Sequence, residues 1–289
     1  MPPDFLKTVL LPLALILIMF GMGMTLTRAD FRRVLLSPKA TGLGLACQWL
    51  LLPVLAWGIA TLFSLPGDLA TGLILIAACP GGPTSNIITH LSRGDTALSV
   101  TLTALSSIIT IFTLPLILSH AMNHFMGADA SIHLPFTKTL SQLIIVTLLP
   151  IAIGMWVKTS RPQFAERMGR PVNLLSLLFL ALIIVAAIAK EKDLAAQITA
   201  AGPATITLNL LAMAIGFGLA ALFRLPTPQR TTIAIEVGIQ NGTLALAIAL
   251  GMLESARIAI PAVVYSLFMF VSGAAMITAF GRRRQPQQS

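Results

Sequence analysis

Long apolar runs, separated by short gaps of charge or turn chemistry, dominate this chain and leave it few ways to fold. Runs long enough to cross a ~30 Å hydrocarbon layer fall near 5–27, 38–64, 68–91, 95–120, 136–158, 171–190, 203–223, 228–252 and 258–280. Only helices and closed barrels satisfy their own backbone groups in lipid. Nine runs of helical length therefore predict an all-α polytopic membrane protein with nine transmembrane helices. Hydrophobic residues make up 56% of the 289 and charged residues only 10%, which leaves too little polar surface for a soluble domain. The net charge of +9 is spread over the gaps, with none of the interleaved aromatics of a nucleic-acid surface, so the partner implied is the lipid bilayer and not nucleic acid. Cys47 and Cys79 both fall inside apolar runs and read as free thiols. The first run has no short apolar core followed by a small-residue cleavage site, and is expected to be retained as a helix.

The gaps also orient the chain. Taken alternately, they give Arg28, Arg32, Arg33, Lys39, Arg93, Lys158, Arg161, Arg167, Arg170, Arg224, Arg230 and Arg282 to Arg284 to one side, and Lys7, Lys138, Lys190, Lys192 and Arg257 to the other. Loops rich in Lys and Arg stay in the cytoplasm. The N-terminus is thus expected outside and the C-terminus in the cytoplasm, in a plasma membrane such as a bacterial inner membrane.

An internal repeat is visible in the letters. Trp57 to Pro66 matches Phe217 to Pro226 at six of ten positions, with a shared Leu-Phe-x-Leu-Pro ending and an offset of 160 residues. Carried forward, the offset sets Gly81-Gly82 of the third run against Asn241-Gly242 of the eighth. The matched runs lie five crossings apart, so the halves are expected to run in opposite directions, as an inverted repeat. The first repeat would be 1–120, the connecting helix 136–158 and the second repeat 171–281.

Both matched interruptions are chemically unusual. Cys79-Pro80-Gly81-Gly82-Pro83-Thr84-Ser85-Asn86 sets two prolines and two glycines inside an apolar run. The prolines remove backbone donors and the glycines remove the steric preference for helix, so the helix is expected to open there. The eighth run breaks around Gly238 and Asn241-Gly242, beside Glu236 and Gln240 at i, i+4 spacing. Glu236 is the sole acid deep inside an apolar run. A carboxyl group at mid-membrane costs about 2.5–3.5 kcal/mol on insertion scales, so it normally faces a partner or a wet path. Interrupted segments in matching positions of two halves point to a carrier's binding site. The bland alternatives are an acid that ties helices together and simple proline or glycine kinks. Ser99 and Thr103 share one face of the fourth run, near Thr101, Ser106 and Ser107, and Gln48 lies in the second; alone, each reads as helix-to-helix hydrogen bonding.

Pro80 to Asn86, Ser92 to Val100 and Glu236 to Asn241 together resemble the crossover motifs of the bile acid:sodium symporter family. The resemblance extends over nearly the whole chain, including helix order and repeat. The family's best-known bacterial members have ten helices, and the resemblance implies nine here, without the first of those ten, as in the animal bile acid carriers. The fold it implies has a panel domain (5–27 and 136–190) and a core domain (38–120 and 203–281), with two discontinuous helices crossing in the core. It implies one sodium among Ser85, Asn86, Ser99, Thr103 and Glu236, and a second among Gln48, Glu236, Gln240 and the carbonyls of Val237 and Ile239. Carboxylate, carbonyl and hydroxyl oxygens suit a hard cation. Substrate contacts are implied at Pro83, Thr84 and Asn241, and this chain departs from the usual Pro-Gly-Gly-Thr-small-Ser-Asn pattern at the first two. The expectation is a sodium-coupled symporter of an organic anion such as a bile acid or small carboxylate, not an enzyme, with sodium as coupling ion and no cofactor.

Three alternatives stand beside it. Coupling could be to protons, or absent, with Glu236 as the protonated group. A membrane-embedded hydrolase would need a nucleophile and base together, whereas His120, His124 and His133 fall in or beside one external gap and His90 at a cytoplasmic helix end. A receptor that transports nothing would have no use for cation ligands in two broken helices. Glycine pairs such as Gly21/Gly23 and Gly216/Gly218 could serve internal packing or a dimer.

Overall fold

In the computed structural model, residues 11–127, 136–188 and 193–281 are described, and all regular structure among them is helical. The helices are α1 Leu11–Gly23, a short α2 Arg28–Arg32, α3 Pro38–Leu62, α4 Gly67–Ala78, α5 Pro83–Leu91, α6 Thr96–Phe125, α7 over 136–160, α8 Pro162–Ile188, α9 Leu194–Leu222, α10 Thr227–Gly238, α11 Gly242–Met252 and α12 Ala256–Gly281. Five of these, α3, α6, α7, α9 and α12, contain segments long and apolar enough to cross a membrane, and the chain is a multi-pass membrane protein. Lys7, His133, Lys190, Lys192 and the basic tail from 282 lie outside the described residues.

The third and eighth runs are each split in two, as their glycines and prolines require. Cys79, extended at φ −72° and ψ 156°, ends one half-helix, and Gly82, extended at φ −87° and ψ 158°, starts the next. In the eighth run the split falls at Ile239 (φ −107°, ψ 91°) and Asn241. Element bounds recur along the chain: α4 and α10 match at 67/227 and 78/238, α6 and α12 begin at 96/256, and α3 and α9 end at 62/222. Left-handed Ser64 (φ 49°) and Arg224 (φ 57°) close the paired Leu-Phe-x-Leu-Pro turns. Asp95 and Ser255 cap the paired helices by accepting from Leu98 N and Ile258 N.

Several expected boundaries move. The fourth run reaches Phe125, which puts His120 and His124 on α6, where both rings pack on Trp57 at 5.1 and 4.9 Å. They are helical aromatic partners and not loop residues. The expected gap at Lys158 to Arg170 shrinks to Arg161 alone (φ −139°), held out of the helical region by Pro162 behind it. Pro171 and Pro203, each expected near a helix start, lie inside α8 and α9 instead. An internal proline removes one hydrogen bond, but leaving the helix in apolar surroundings would strand many more backbone groups. The gap after Arg28 carries the short α2.

Two sets of helices pack among themselves. α1 lies along α7 and α8, while α4, α6, α9, α10 and α12 pack on one another. Glycines set the closest approaches. A Cβ on Gly23 would stand 2.3 Å from the Ile151 carbonyl oxygen, one on Gly154 2.4 Å from that of Phe20, and one on Gly72 2.2 Å from that of Ile258. Gly23 thus serves internal packing, while Gly218 has open space beside it. Replacing Gly23 or Gly154 by Val should separate α1 from α7 and cost about 1–3 kcal/mol. Thermal unfolding of the detergent-solubilised protein measures it.

Candidate functional site

The two breaks cross, and each supplies what the other lacks. Gly82 N–H donates to the Ile239 carbonyl at 3.1 Å and Asn241 N–H to the Pro80 carbonyl at 2.8 Å, pairing Gly81 with Gln240 as an isolated antiparallel bridge. Unpaired backbone groups in a dry interior are costly, so this exchange is what lets both helices stop at mid-depth. Gly81 is needed because its Cβ would fall 2.5 Å from Glu236 Oε2, and one on Gly82 would fall 3.0 Å from the Gln240 carbonyl.

Glu236, fully buried on α10, faces hydroxyls from two other helices. Ser85 on α5 donates to its Oε1 at 2.6 Å, Thr103 on α6 to its Oε2 at 2.9 Å, and Ser99 on α6 lies against Oε1 as well. Asn86 joins through Ser99, whose hydroxyl reaches Asn86 Oδ1 at 2.8 Å. Ser85 likewise also reaches the Gly82 carbonyl at 2.7 Å. A hydroxyl carries one proton. With Glu236 ionised, Ser85 has two acceptors for its one proton, the Gly82 carbonyl and Glu236 Oε1, so one of these close oxygen pairs has no proton between its atoms. A cation set among the same oxygens would remove that conflict.

The other expected ligands, Gln48 and Gln240, gather at the backbone of the same residue, and Gln48 Nε2 also lies near its carboxylate, on the Gly81 side. Gln48 Nε2 donates to the Glu236 carbonyl at 3.0 Å, and Gln240 Nε2 to the carbonyls of Glu236 and Val237 at 3.2 and 2.7 Å. These bonds fix which end of each amide is nitrogen. Gln48 Oε1 and Gln240 Oε1 are left buried with no hydrogen-bond partner. A buried unpartnered oxygen costs about 1–3 kcal/mol, a cost that a hard cation bound by both would offset. Gln48 sits in a π-helical turn, Cys47–Leu51, a feature frequent at functional sites. The Ile239 carbonyl serves the backbone bridge.

Of the expected substrate contacts, Pro83 and Thr84 form the first turn of α5 and are half-buried. Asn241 caps α11, accepting from Leu244 N at 3.1 Å and the Thr243 hydroxyl at 2.5 Å, and its Nδ2 is a buried donor without a partner. Sequence reasoning missed Asn209 and Tyr265, which both donate to the Gly238 carbonyl, at 2.7 and 2.9 Å. The signal was present: Tyr265 is the chain's single tyrosine, and Asn209 is an amide inside an apolar helix.

Known proteins share this chain's sequence widely. Residues 12–198 match the model of the Sodium Bile acid symporter family. The chain belongs to the sodium bile acid symporter family. It is 32% identical over 286 residues to a probable chloroplastic sodium/metabolite cotransporter, BASS2, of Oryza sativa, covering 98% of this chain and 66% of that one. It is 30% identical over 274 residues to YocS, an uncharacterized sodium-dependent transporter of Bacillus subtilis, covering 94% and 83%. Mouse sodium/bile acid cotransporter 4 is 31% identical over 245 residues, covering 81% and 54%. The chain thus spans about two thirds of the length of the rice relative. The family's names are those of transporters and not enzymes, and the hydrolase alternative falls with them.

Gly81→Ala would drive a methyl group into the Glu236 carboxylate. The expected result is a loss of about 1–3 kcal/mol, read as a lowered unfolding temperature in detergent, while Gly42→Ala, with open space at its Cβ, should leave that temperature within about 1 °C, since a change well under 1 kcal/mol moves the midpoint little.

Proposed function

We propose that the chain is a sodium-coupled secondary active transporter that carries an organic anion by alternating access. The observation that carries this reading is the buried oxygen set at the crossing. Glu236 is held by Ser85, Ser99 and Thr103 with too few protons among them, and beside it lie the unpartnered Oε1 atoms of Gln48 and Gln240. One sodium would sit among Ser85, Asn86, Ser99, Thr103 and Glu236. A second would sit among Gln48, Gln240, Glu236 and the carbonyls of Val237 and Ile239. The names of relatives as sodium cotransporters support the same ion.

In this reading the five long apolar helices are joined by α1, α8 and the split pairs α4/α5 and α10/α11, making nine crossings in an inverted repeat. The halves are 1–120 and 171–281, with 136–158 between them, the N-terminus outside and the C-terminus in the cytoplasm. The recurrence of element bounds at a constant offset supports the repeat. The mutual packing of α1, α7 and α8 supports a panel (5–27 and 136–190) against a core of 38–120 and 203–281. α11 is buried and abuts α1, whereas Ile87 and Leu91 on α5 are open, at 61% and 49% exposure. That asymmetry is the one expected of an inward-facing carrier, whose outer half-helix is covered and inner half-helix bared.

The substrate's anionic group would meet the start of α5 at Pro83 and Thr84 and the free Nδ2 of Asn241, where a helix N-terminus favours negative charge. Two sodium ions with one monoanion move one positive charge inward, worth about 2.3 kcal/mol per 100 mV. Each tenfold sodium gradient adds about 1.4 kcal/mol per ion. One observation also favours proton coupling: a proton on Glu236 would supply the crowded oxygens with a further hydrogen.

Reconstituted liposomes separate the two. With a bile acid and a 2-keto acid as probes, uptake is expected only under an inward sodium gradient, and Glu236→Gln should abolish it. Uptake driven equally by a pH gradient without sodium, or by neither ion, would overturn the sodium reading.

A further inference from the structure

The two breaks are held in different ways. The first contains Pro80 and Pro83, whose rings fix the backbone on both sides of Gly81-Gly82. The second, Gly238-Ile239-Gln240-Asn241-Gly242, has no proline. Its backbone has more freedom to lose, yet it carries Gln240 and the carbonyls of Val237 and Ile239. What it has instead is a two-sided hold on the Gly238 carbonyl. This group ends α10 and, like the last carbonyls of any helix, has no N–H of its own helix to receive. Asn209 Nδ2, from α9, and the Tyr265 hydroxyl, from α12, both donate to it. Both side chains are 0% exposed. Met213 closes the same point, since a Cβ on Gly238 would stand 2.1 Å from its Cγ. At the matching offset in the first half the residues are Trp49 and Leu105, so the proline-bearing break has no such pair.

We propose that Asn209 and Tyr265 are positioning residues for the second cation set, replacing by hydrogen bonds the stiffness that proline gives the first break. The proposal rests on the sodium reading above. Without the hold, the linker samples other conformations when the ion is absent, and ion binding must then reorder it, which lowers apparent affinity in proportion to the competent fraction.

The test is thermal unfolding of the purified full chain in detergent, titrated with NaCl against KCl, for wild type, Tyr265→Phe, Asn209→Ala and Thr205→Val. Thr205 lies one turn before Asn209 and donates to the Ala201 carbonyl of its own helix, so it controls for a lost buried hydroxyl. Loss of one net hydrogen bond should raise the half-saturating sodium concentration about two- to tenfold in Tyr265→Phe and in Asn209→Ala, with Thr205→Val at the wild-type value. Unfolding temperatures that fall in both salts with unchanged half-saturation make the pair merely structural and overturn the proposal. A wild type that responds equally to both salts overturns the sodium reading itself, and this proposal with it. If Asn209→Ala does not fold, Tyr265→Phe, which removes a single oxygen atom, decides alone.

Discussion

Everything at the centre of this protein depends on two broken helices sharing backbone hydrogen bonds. Neither break is tolerable alone, since each would strand polar groups at a depth where no water can serve them. Joined through Gly82 to Ile239 and Asn241 to Pro80, they form one isolated antiparallel bridge between helices. The joint brings the end of α10 against the start of α5, and with it the carboxylate of Glu236 against the hydroxyl of Ser85. α6 then needs only its i, i+4 spacing to set Ser99 and Thr103 on the same acid.

The electrostatics follow from that geometry. Two ion pairs, Lys158 with Glu166 and Arg257 with Asp68, lie at helix ends, whereas Glu236 is surrounded by hydroxyls and amides. A buried carboxylate facing a fixed Lys or Arg would be neutralised for good. One facing only neutral hydroxyls and amides stays responsive to whatever small cation can enter, the property that the proposed coupling role would require. The amide oxygens of Gln48 and Gln240 extend the same logic, because each nitrogen is tethered to a carbonyl and each oxygen is left over.

Much of this was legible in the letters. Pro80-Gly81-Gly82-Pro83 announces a break because its chemistry is local, and Glu236 announces buried polar partners because its insertion cost is large. The paired Leu-Phe-x-Leu-Pro turns were readable too, and left-handed Ser64 and Arg224 recur at the same place in each. Helix ends were harder. Pro171 and Pro203 look like starts, and His120 and His124 look like loop, because local chemistry cannot weigh the gain of continuing a helix through lipid or of stacking on Trp57. The roles of Asn209 and Tyr265 were not legible, since the carbonyl they share lies 29 and 27 residues away and becomes a neighbour only once three helices pack.

The π-helical turn at Cys47–Leu51 has a consequence of its own. Widening one turn of α3 adds a residue to the coil, so the side chains before and after it are offset by about 100° from where a regular helix of 3.6 residues per turn would carry them. Gln48 can therefore point inward at the acid while the rest of α3 keeps an oily outer surface, with Leu50 and Val54 each 68% exposed. One surplus amino acid reconciles a polar demand on the inside with an apolar demand on the outside, within a single rod.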